Sequence, residues 1–283
     1  MAYPLIDFNV GDKIMVNHRL ADIKDPAVLP YVFPSEDMKF YEVVRYIDGT
    51  LIFFEDHMER MRESVAGNIV FDPAKIREDA DTLMQSLKTE NGNLKIVITK
   101  DDQIIYKNKH YYPTKDEYRD GVNVGLIEWE RTDPNVKAIR DDYKEAVKRK
   151  LDGKGAFGPY FEALLCRKDG DITEGSRSNV FFIEGDKVLT APDELILKGI
   201  TRKYIIEAVR NTGCELITHM ISVKELEISP RPAFITGTSI GVLPVRTIED
   251  IQIDSASDPV IKKIMVEYSA IVRNYIKTNT KNN

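Results

Sequence analysis

The chain has 283 residues, of which 42% are hydrophobic and 30% charged, and its net charge is −6. This length suits one large domain or two ordinary ones, and two are favoured. The sequence lacks the run of about 18 apolar residues that a membrane-spanning helix needs, and its acidic balance argues against a general nucleic-acid surface.

Targeting and metal signals are absent from the sequence. The N-terminal residues lack both the basic and the apolar region of a signal peptide, so a cytoplasmic location is expected. The two cysteines, Cys166 and Cys214, and the four histidines are scattered along the chain. Since none of them is spaced like a set of metal ligands, no metal site is predicted.

The first part of the chain alternates between strand and helix patterns. Runs rich in β-branched and aromatic residues predict strands at residues 13–16, 40–47, 50–54, 94–99, 103–106 and 122–129. Asp48-Gly49 predicts a hairpin turn within this set. Helices are predicted at 55–66, ending at Gly67, and from Pro73 to about residue 91. This part is therefore predicted to be α+β, with a mostly antiparallel sheet.

The second part has a comparable mixture of elements. Strands are predicted at residues 161–167, 187–190, 215–218 and 233–236, and helices at 141–151, 202–211 and 258–277. Gly213 is placed to end the middle helix, and Ser222 with Glu225 predicts a capping box. We expect an α/β fold with domains at residues 1–130 and 131–283.

An acidic residue in a turn of small residues is the first candidate for chemistry. Thr173-Glu174-Gly175-Ser176 leads into an apolar run with strand character, which would hold the carboxylate at a strand edge. There it could act on a ligand. The alternative is a hairpin turn in which Glu174 is solvated.

Three further patterns suit an anion. In Gly199-Ile200-Thr201, Thr201 is a natural N-cap, and the helix that begins there offers N–H groups and a positive dipole end. The hydroxyl-rich run from Thr236 to Ser239 could converge on the same group. Arg60 follows His57 by one helical turn and could donate to a phosphate. An ordinary capped helix and a hydrophilic turn are the alternatives for the first two.

Lys137 stands between apolar neighbours just before a helix. Burial favours the neutral form of a lysine, which can then form a Schiff base. The alternative is an ordinary surface lysine.

These patterns occur in a fixed order. That order is Tyr41-Glu42, His57-Met58-Glu59-Arg60, Val136-Lys137, Thr173-Glu174-Gly175-Ser176, Leu197-Lys198-Gly199-Ile200-Thr201-Arg202 and Thr236-Gly237-Thr238-Ser239. It resembles the class IV aminotransferases, the pyridoxal-phosphate (PLP) enzymes of fold type IV. The group includes branched-chain aminotransferases, D-amino-acid aminotransferases and aminodeoxychorismate lyases.

The resemblance implies a D-amino-acid-aminotransferase-like fold of two α/β domains, with PLP between them, in a homodimer. Lys137 would be the catalytic lysine that forms the Schiff base, and Glu174 would keep the pyridine nitrogen protonated. The resemblance assigns the phosphate to Arg60, Ile200, Thr201 and Thr238, the cofactor O3′ to Tyr143, and the substrate to Tyr41 and Ser239.

The implied function is a PLP-dependent aminotransferase that moves an amino group between a small branched-chain or D-amino acid and a 2-oxo acid. The alternatives are a β-elimination like that of aminodeoxychorismate lyase, with the same lysine, and a degenerate member that binds PLP without catalysis. Thr99-Lys100-Asp101 stands where many members carry an arginine for the substrate carboxylate. The role of Arg177, inside the Glu174 turn, is left open.

Overall fold

A computed structural model of the protein describes residues 3–132, 134–137 and 141–280, except for the side chain of Asp141. The neighbours of Lys137 on its C-terminal side, Ala138 to Arg140, therefore lie outside the described residues. The chain divides into two compact units. The first comprises Met1–Tyr111, Val136–Asp141 and Val272–Asn283, and the second comprises Tyr112–Asn135 and Asp142–Ile271.

The first unit is built on a six-stranded antiparallel sheet. The strands of this unit are β1 (Tyr3–Pro4), β2 (Asn9–Val16), β3 (Arg19–Asp22), β4 (Pro34–Ser35), β5 (Phe40–Ile47), β6 (Thr50–Leu51), β7 (Gly92–Ile98) and β8 (Gln103–Asn108). The order in the sheet is β3-β2-β8-β7-β5-β6, while β1 pairs with β4. Every pair in the sheet is antiparallel, which confirms the prediction for this part of the chain.

Two helices cover one face of this sheet. They are α1 (Phe54–Val65) and α2 (Pro73–Leu87), and a short 3-10 helix occupies Leu29–Val32. Buried residues of α1 and α2, such as Met58 and Leu83, share a core with Val44 and Ile96 of the sheet. Side chains alternate along a strand, so the neighbours of Val44 and Ile96 point to the opposite face. There Val97 packs in a second cluster that also includes Tyr41.

Two predicted boundaries in this unit are wrong. The strand predicted at 50–54 ends at Leu51, because Phe53 takes a left-handed conformation (φ 54°) and α1 begins at the next residue. The second helix ends at Leu87 rather than near residue 91, because Lys88 is also left-handed (φ 51°). Both errors come from single non-glycine residues with positive φ, which a periodicity pattern does not reveal.

The second unit contains a larger mixed sheet. The strands of this unit are β9 (Val122–Glu128), β10 (Lys154–Gly155), β11 (Gly158–Pro159), β12 (Glu162–Cys166), β13 (Asp171–Gly175), β14 (Asn179–Glu184), β15 (Lys187–Thr190), β16 (Glu215–Thr218), β17 (Ile221–Ser222), β18 (Ala233–Gly237), β19 (Gly241–Ile248) and β20 (Ile251–Gln252). The order in the sheet is β16-β15-β14-β18-β19-β9-β12-β13-β17, with β20 beside β19. The strand β9 lies before residue 130 but pairs in parallel with β12 and β19.

The helices of the second unit agree well with their local signals. They are α3 (Lys115–Asp120), α4 (Asp141–Leu151), α5 (Ile200–Asn211), α6 (Val223–Ile228) and α7 (Pro259–Asn279), although the end of α7 counts with the first unit. The predicted capping box is present, since Ser222 and Glu225 bond reciprocally at the start of α6. Gly213 (φ 77°) follows the end of α5, as predicted.

The described residues contain neither a helix that is long and apolar enough to cross a membrane nor a cluster of three metal-ligating side chains.

Candidate active site

In the first unit, the structure brings Lys137 and Tyr41 together. The Lys137 amide donates to the hydroxyl of buried Ser64 on α1 (3.4 Å), and its carbonyl accepts from the Tyr41 amide (3.4 Å). The Lys137 Nζ lies 5.0 Å from the centroid of the Tyr41 ring. The preceding Val136 packs against the core beneath α1 and α2. The lysine is therefore held by strand β5 and helix α1 at its backbone, and its amine lies against an aromatic face.

Arg60 forms part of a buried cluster with Glu42 and His57. The Arg60 Nε donates to Glu42 Oε1 (2.8 Å) and its Nη2 donates to Oε2 (2.6 Å). The His57 Nδ1 lies 2.6 Å from Glu42 Oε2. Glu42 follows Tyr41 on β5 and so points to the opposite face of the sheet, where α1 presents Arg60 and His57. The cluster joins the strand that carries Tyr41 to the helix that carries Ser64.

The cluster is charged at Glu42 and Arg60 and neutral at His57. Burial acts to raise the pKa of Glu42, but the positive charge of Arg60 and the hydrogen bond from His57 outweigh it and hold that pKa well below its usual range. Burial lowers the pKa of His57 and outweighs the hydrogen bond and the charge of Glu42, which act to raise it, while Arg60 and Lys137 add smaller contributions that lower it. Since an ionised carboxylate only accepts, neutral His57 carries its proton on Nδ1 and donates it to Glu42.

In the second unit, Glu174 is buried rather than solvated, so the alternative of an exposed hairpin turn is wrong. Glu174 lies near the end of β13, and its side chain is only 3% exposed. The Oε2 atom accepts from the Leu197 amide (3.1 Å) and from Asn179 Nδ2 (3.4 Å). The Oε1 atom forms an ion pair with Arg131, whose Nε lies 2.9 Å away. The carboxylate is therefore fixed by three partners from different parts of the unit.

Tyr143 on α4 lies beside the same turn. Its hydroxyl donates to the Ser176 carbonyl (2.7 Å), and Arg131 Nη2 donates to both of these oxygens (3.3 Å each). The ring of Trp129 is 5.4 Å from the ring of Tyr143. Burial raises the pKa of Tyr143, with Glu174 adding to the rise and Arg131 opposing it. The hydroxyl therefore stays protonated and able to donate.

The start of α5 corrects one prediction. Gly199, not Thr201, is the N-cap, and no side chain caps the helix. A Cβ on Gly199 would lie only 2.2 Å from Asn179 Oδ1. Glycine at this position therefore allows the side-chain amide of Asn179, which contacts Glu174, to approach the start of the helix. Ile200 and Thr201 are the first two helical residues, and both are buried. An uncapped helix start with a positive dipole end suits an anion.

Thr238 and Ser239 lie in the turn between β18 and β19. Ser239 is buried, and a Cβ on the neighbouring Gly237 would lie 3.5 Å from the Arg177 carbonyl. The hydroxyl-rich turn therefore lies alongside the turn that follows Glu174. Thr236 pairs directly with Asn179 across the strands. Its buried Oγ1 has no hydrogen-bond partner in the described part of the chain.

The predicted site residues thus fall into two groups. Tyr41, Arg60 and Lys137 lie in the first unit, and Tyr143, Glu174, Ile200, Thr201, Thr238 and Ser239 lie in the second. Sequence reasoning missed the partners that hold these residues, namely Glu42, Arg131 and Asn179. Two signals were available, since Glu42 adjoins Tyr41 on a strand and Asn179 belongs to the same motif as Glu174.

Comparison with known proteins identifies the family. The sequence model of the family described as "Amino-transferase class IV" matches residues 39–248, well over half of the chain. The chain belongs to the class IV aminotransferases. This confirms the family that the ordered motifs indicated and, with it, the enzyme class.

Individual relatives resemble this class IV aminotransferase in sequence or in fold. A D-alanine aminotransferase of Bacillus licheniformis is 27% identical over 282 residues, covering 89% of this chain and 94% of the relative. The solved branched-chain amino acid aminotransferase of Escherichia coli has a TM-score of 0.76 at 20% identity, covering 93% and 95% of the two chains. That of Thermoproteus uzoniensis, solved with norvaline, has a TM-score of 0.76 at 20% identity, covering 94% and 98%. The predicted mixed α/β fold of type IV is confirmed.

Class IV aminotransferases use PLP, which confirms the predicted cofactor at the level of the family. The residues of the class IV aminotransferase described here fit that group. A pyridine nitrogen that carries a proton needs a fixed, ionised carboxylate, and Glu174 is held by three partners. A phosphate needs N–H and O–H donors at a helix start, and α5 begins without a capping side chain. The Thr236 Oγ1, which has no hydrogen-bond partner among the described residues, adds a buried hydroxyl beside Asn179.

Proposed function

We propose that this class IV aminotransferase moves the amino group of a small amino acid, a D-amino acid or a branched-chain one, to a 2-oxo acid. The observation that carries the proposal is the buried Glu174 carboxylate with its three partners. The relatives named D-alanine and branched-chain aminotransferases support the same substrate classes.

PLP, when bound, supplies an aldehyde that takes up the amino group and a ring that accepts electrons from the substrate. The side chains would then bind and orient. The Glu174 carboxylate would hold the proton on the pyridine nitrogen, and the Tyr143 hydroxyl would contact O3′. The Lys137 amine would bind the aldehyde carbon until the substrate amine replaces it, and once freed it would carry the proton between the substrate Cα and that carbon. Tyr41 and Ser239 would contact the substrate.

The phosphate would be bound by backbone amides, a hydroxyl and a guanidinium. Ile200 and Thr201 would contribute helix-start amides, and Thr238 a hydroxyl. Arg60 would contribute its guanidinium, with Glu42 holding the Nε and Nη2 edge of that group in place. Glu42 would then orient Arg60 without competing with the phosphate for it, because a guanidinium has five N–H donors and Glu42 uses only part of them.

The first experiment measures cofactor binding. The purified protein should show the visible absorption of bound PLP, and Lys137→Ala should lose the covalent link that gives this absorption. Lys24→Ala, at an exposed lysine of the same unit, is the control and should keep the wild-type spectrum. A wild-type protein that stays colourless with added PLP would refute the proposal.

Several finer points stay predictions: the homodimer, the cytoplasmic location, and the division at residue 130. Exposed apolar side chains of the first unit, Phe8 and Met38 among them, are compatible with a subunit interface. The thiols of Cys166 and Cys214 are both free, as is usual in a reducing compartment. Sedimentation equilibrium would test the dimer, and a single species at the monomer mass would contradict it.

A further inference from the structure

Arg131 connects the two side chains that are predicted to contact the polar atoms of the pyridine ring. Its Nε lies 2.9 Å from Glu174 Oε1, and its Nη2 lies 3.3 Å from the Tyr143 hydroxyl. The guanidinium carbon is 5.1 Å from the centroid of the Tyr143 ring. All three side chains belong to the second unit. One planar group thus contacts both Glu174 and Tyr143.

The charge of Arg131 has a specific effect on Glu174. Burial of a carboxylate favours its protonated form, which could no longer stabilise the proton on the pyridine nitrogen. Of the three partners of Glu174 described above, the Leu197 amide and the Asn179 amide are neutral, whereas the guanidinium carries a full positive charge. Among these three partners, Arg131 is therefore the one whose charge favours the ionised form of Glu174.

The geometry also restricts orientation. The Nη2 atom donates to the Ser176 carbonyl as well as to Tyr143, so the guanidinium is anchored to the backbone of the Glu174 turn. Because the guanidinium is rigid and planar, fixing Nη2 also fixes the direction of Nε. The carboxylate thus has the guanidinium beside one oxygen, as an ion pair at 2.9 Å, and the Leu197 amide beside the other.

We propose that Arg131 is a positioning residue of the cofactor site, which keeps Glu174 ionised and aligned for the pyridine nitrogen and orders the Tyr143 hydroxyl in the same network. This inference rests on the proposed function, since it assumes that Glu174 faces PLP. The rival role is purely structural: an ion pair that anchors the segment from Trp129 to Arg131 and has no particular effect on the cofactor.

The test measures the affinity of the full-length protein for PLP in a double-mutant cycle. Trp129 is the single tryptophan of the chain, and quenching of its fluorescence on titration with PLP gives the Kd. Arg131→Met should weaken binding about 10- to 100-fold, the equivalent of losing one charged partner. In a Glu174→Gln background, where the partner has no charge, the same substitution should change the Kd less than about threefold.

The controls separate the possible failures. Arg210→Met removes an exposed arginine of α5 and should leave the Kd unchanged. Urea unfolding of each variant without PLP shows whether it folds. If Arg131→Met does not fold, Arg131→Lys replaces it in the cycle. A lysine ammonium is a point charge and cannot contact Glu174 and Tyr143 together. We therefore expect this variant to bind PLP several-fold more weakly when Glu174 is present, and as before in the Glu174→Gln background.

Equal losses of affinity in both backgrounds, or no loss in either, would overturn the role of Arg131. Failure of the wild-type protein to bind PLP would instead contradict the proposed function.

Discussion

Replacement of Gly199 by alanine tests whether the environment of Glu174 is packed as described. The new Cβ would lie 2.2 Å from Asn179 Oδ1, whereas ordinary contacts are 3.4 Å or more. The amide must therefore move by about 1 Å, and Asn179 Nδ2 would lose its bonds to the Leu197 carbonyl (2.9 Å) and to Glu174 (3.4 Å).

The expected cost follows from these contacts. Two hydrogen bonds contribute about 1 kcal/mol each, and alanine is a poorer N-cap than glycine by a few tenths or more. Against this, alanine lowers the entropy of the unfolded chain, which is worth about 0.4–1 kcal/mol at a conformation that it can adopt, and Gly199 has φ −61° and ψ 136°. Net destabilisation of roughly 1.5–2 kcal/mol is expected.

Urea unfolding followed by Trp129 fluorescence is the assay, because Trp129 lies in the same unit as Gly199. Gly237→Ala is the matched control. The nearest atom to its new Cβ would be the Arg177 carbonyl oxygen at 3.5 Å, an ordinary contact, so this variant should be as stable as wild type or more stable by up to about 1 kcal/mol. If Gly199→Ala is as stable as this control, then Asn179 does not hold Glu174 as described.

The remaining predictions concern the charged groups. Glu174→Gln should bind PLP at saturating cofactor but lose turnover about 100-fold, measured as kcat, because a neutral amide cannot keep the pyridine nitrogen protonated; normal turnover would contradict the assignment. Glu42→Gln should lower the free energy of unfolding by about 3–5 kcal/mol in urea titrations, because Arg60 stays buried without its counter-charge; a change below about 1 kcal/mol would refute the buried pair. The pKa of His57 is lower in the folded state than in the unfolded state, where it is about 6.5. The contribution of neutral His57 to the free energy of unfolding is therefore fully present above that pH and is lost as the pH falls below it. Stability should therefore decrease from pH 7 to pH 5, and His57→Asn should flatten this slope. The contribution of Glu42 to stability is lost only below about pH 4.3, outside this range. If His57→Asn leaves the loss of stability between pH 7 and pH 5 unchanged, His57 is not the cause of that loss.

Local signals in the sequence were enough to predict those features that depend on near neighbours. The Ser222 capping box, the start of α2 at Pro73 and the turn after α5 at Gly213 all involve residues within a few positions of each other. In the first sheet, the antiparallel pairs β2-β3, β5-β6 and β7-β8 are each joined by a short connection, which local turn signals can reveal.

The sequence did not reveal features that depend on distant residues. The strand β9 pairs with β12 and β19, which come later in the chain, so its composition could not assign it to the second sheet. Thr201 has the chemistry of an N-cap, but the helix begins at Ile200 with Gly199 as its N-cap, where the side chain of the distant Asn179 comes close. The pairing of Arg131 with Glu174 likewise depends on the folding of β9 against β12 and β13, and no local pattern predicts it.

The most direct measurement of the central claim is a single half-reaction. The PLP-loaded protein is mixed with D-alanine, and in parallel with L-leucine, without any 2-oxo acid. One equivalent of 2-oxo acid per bound cofactor, with the spectrum of PLP replaced by that of pyridoxamine phosphate, is the result expected of an aminotransferase. A lyase would keep the PLP spectrum and release no 2-oxo acid from either amino acid, but would release pyruvate continuously from serine, whose β-hydroxyl can leave, with no amino acceptor present; that result would contradict transamination.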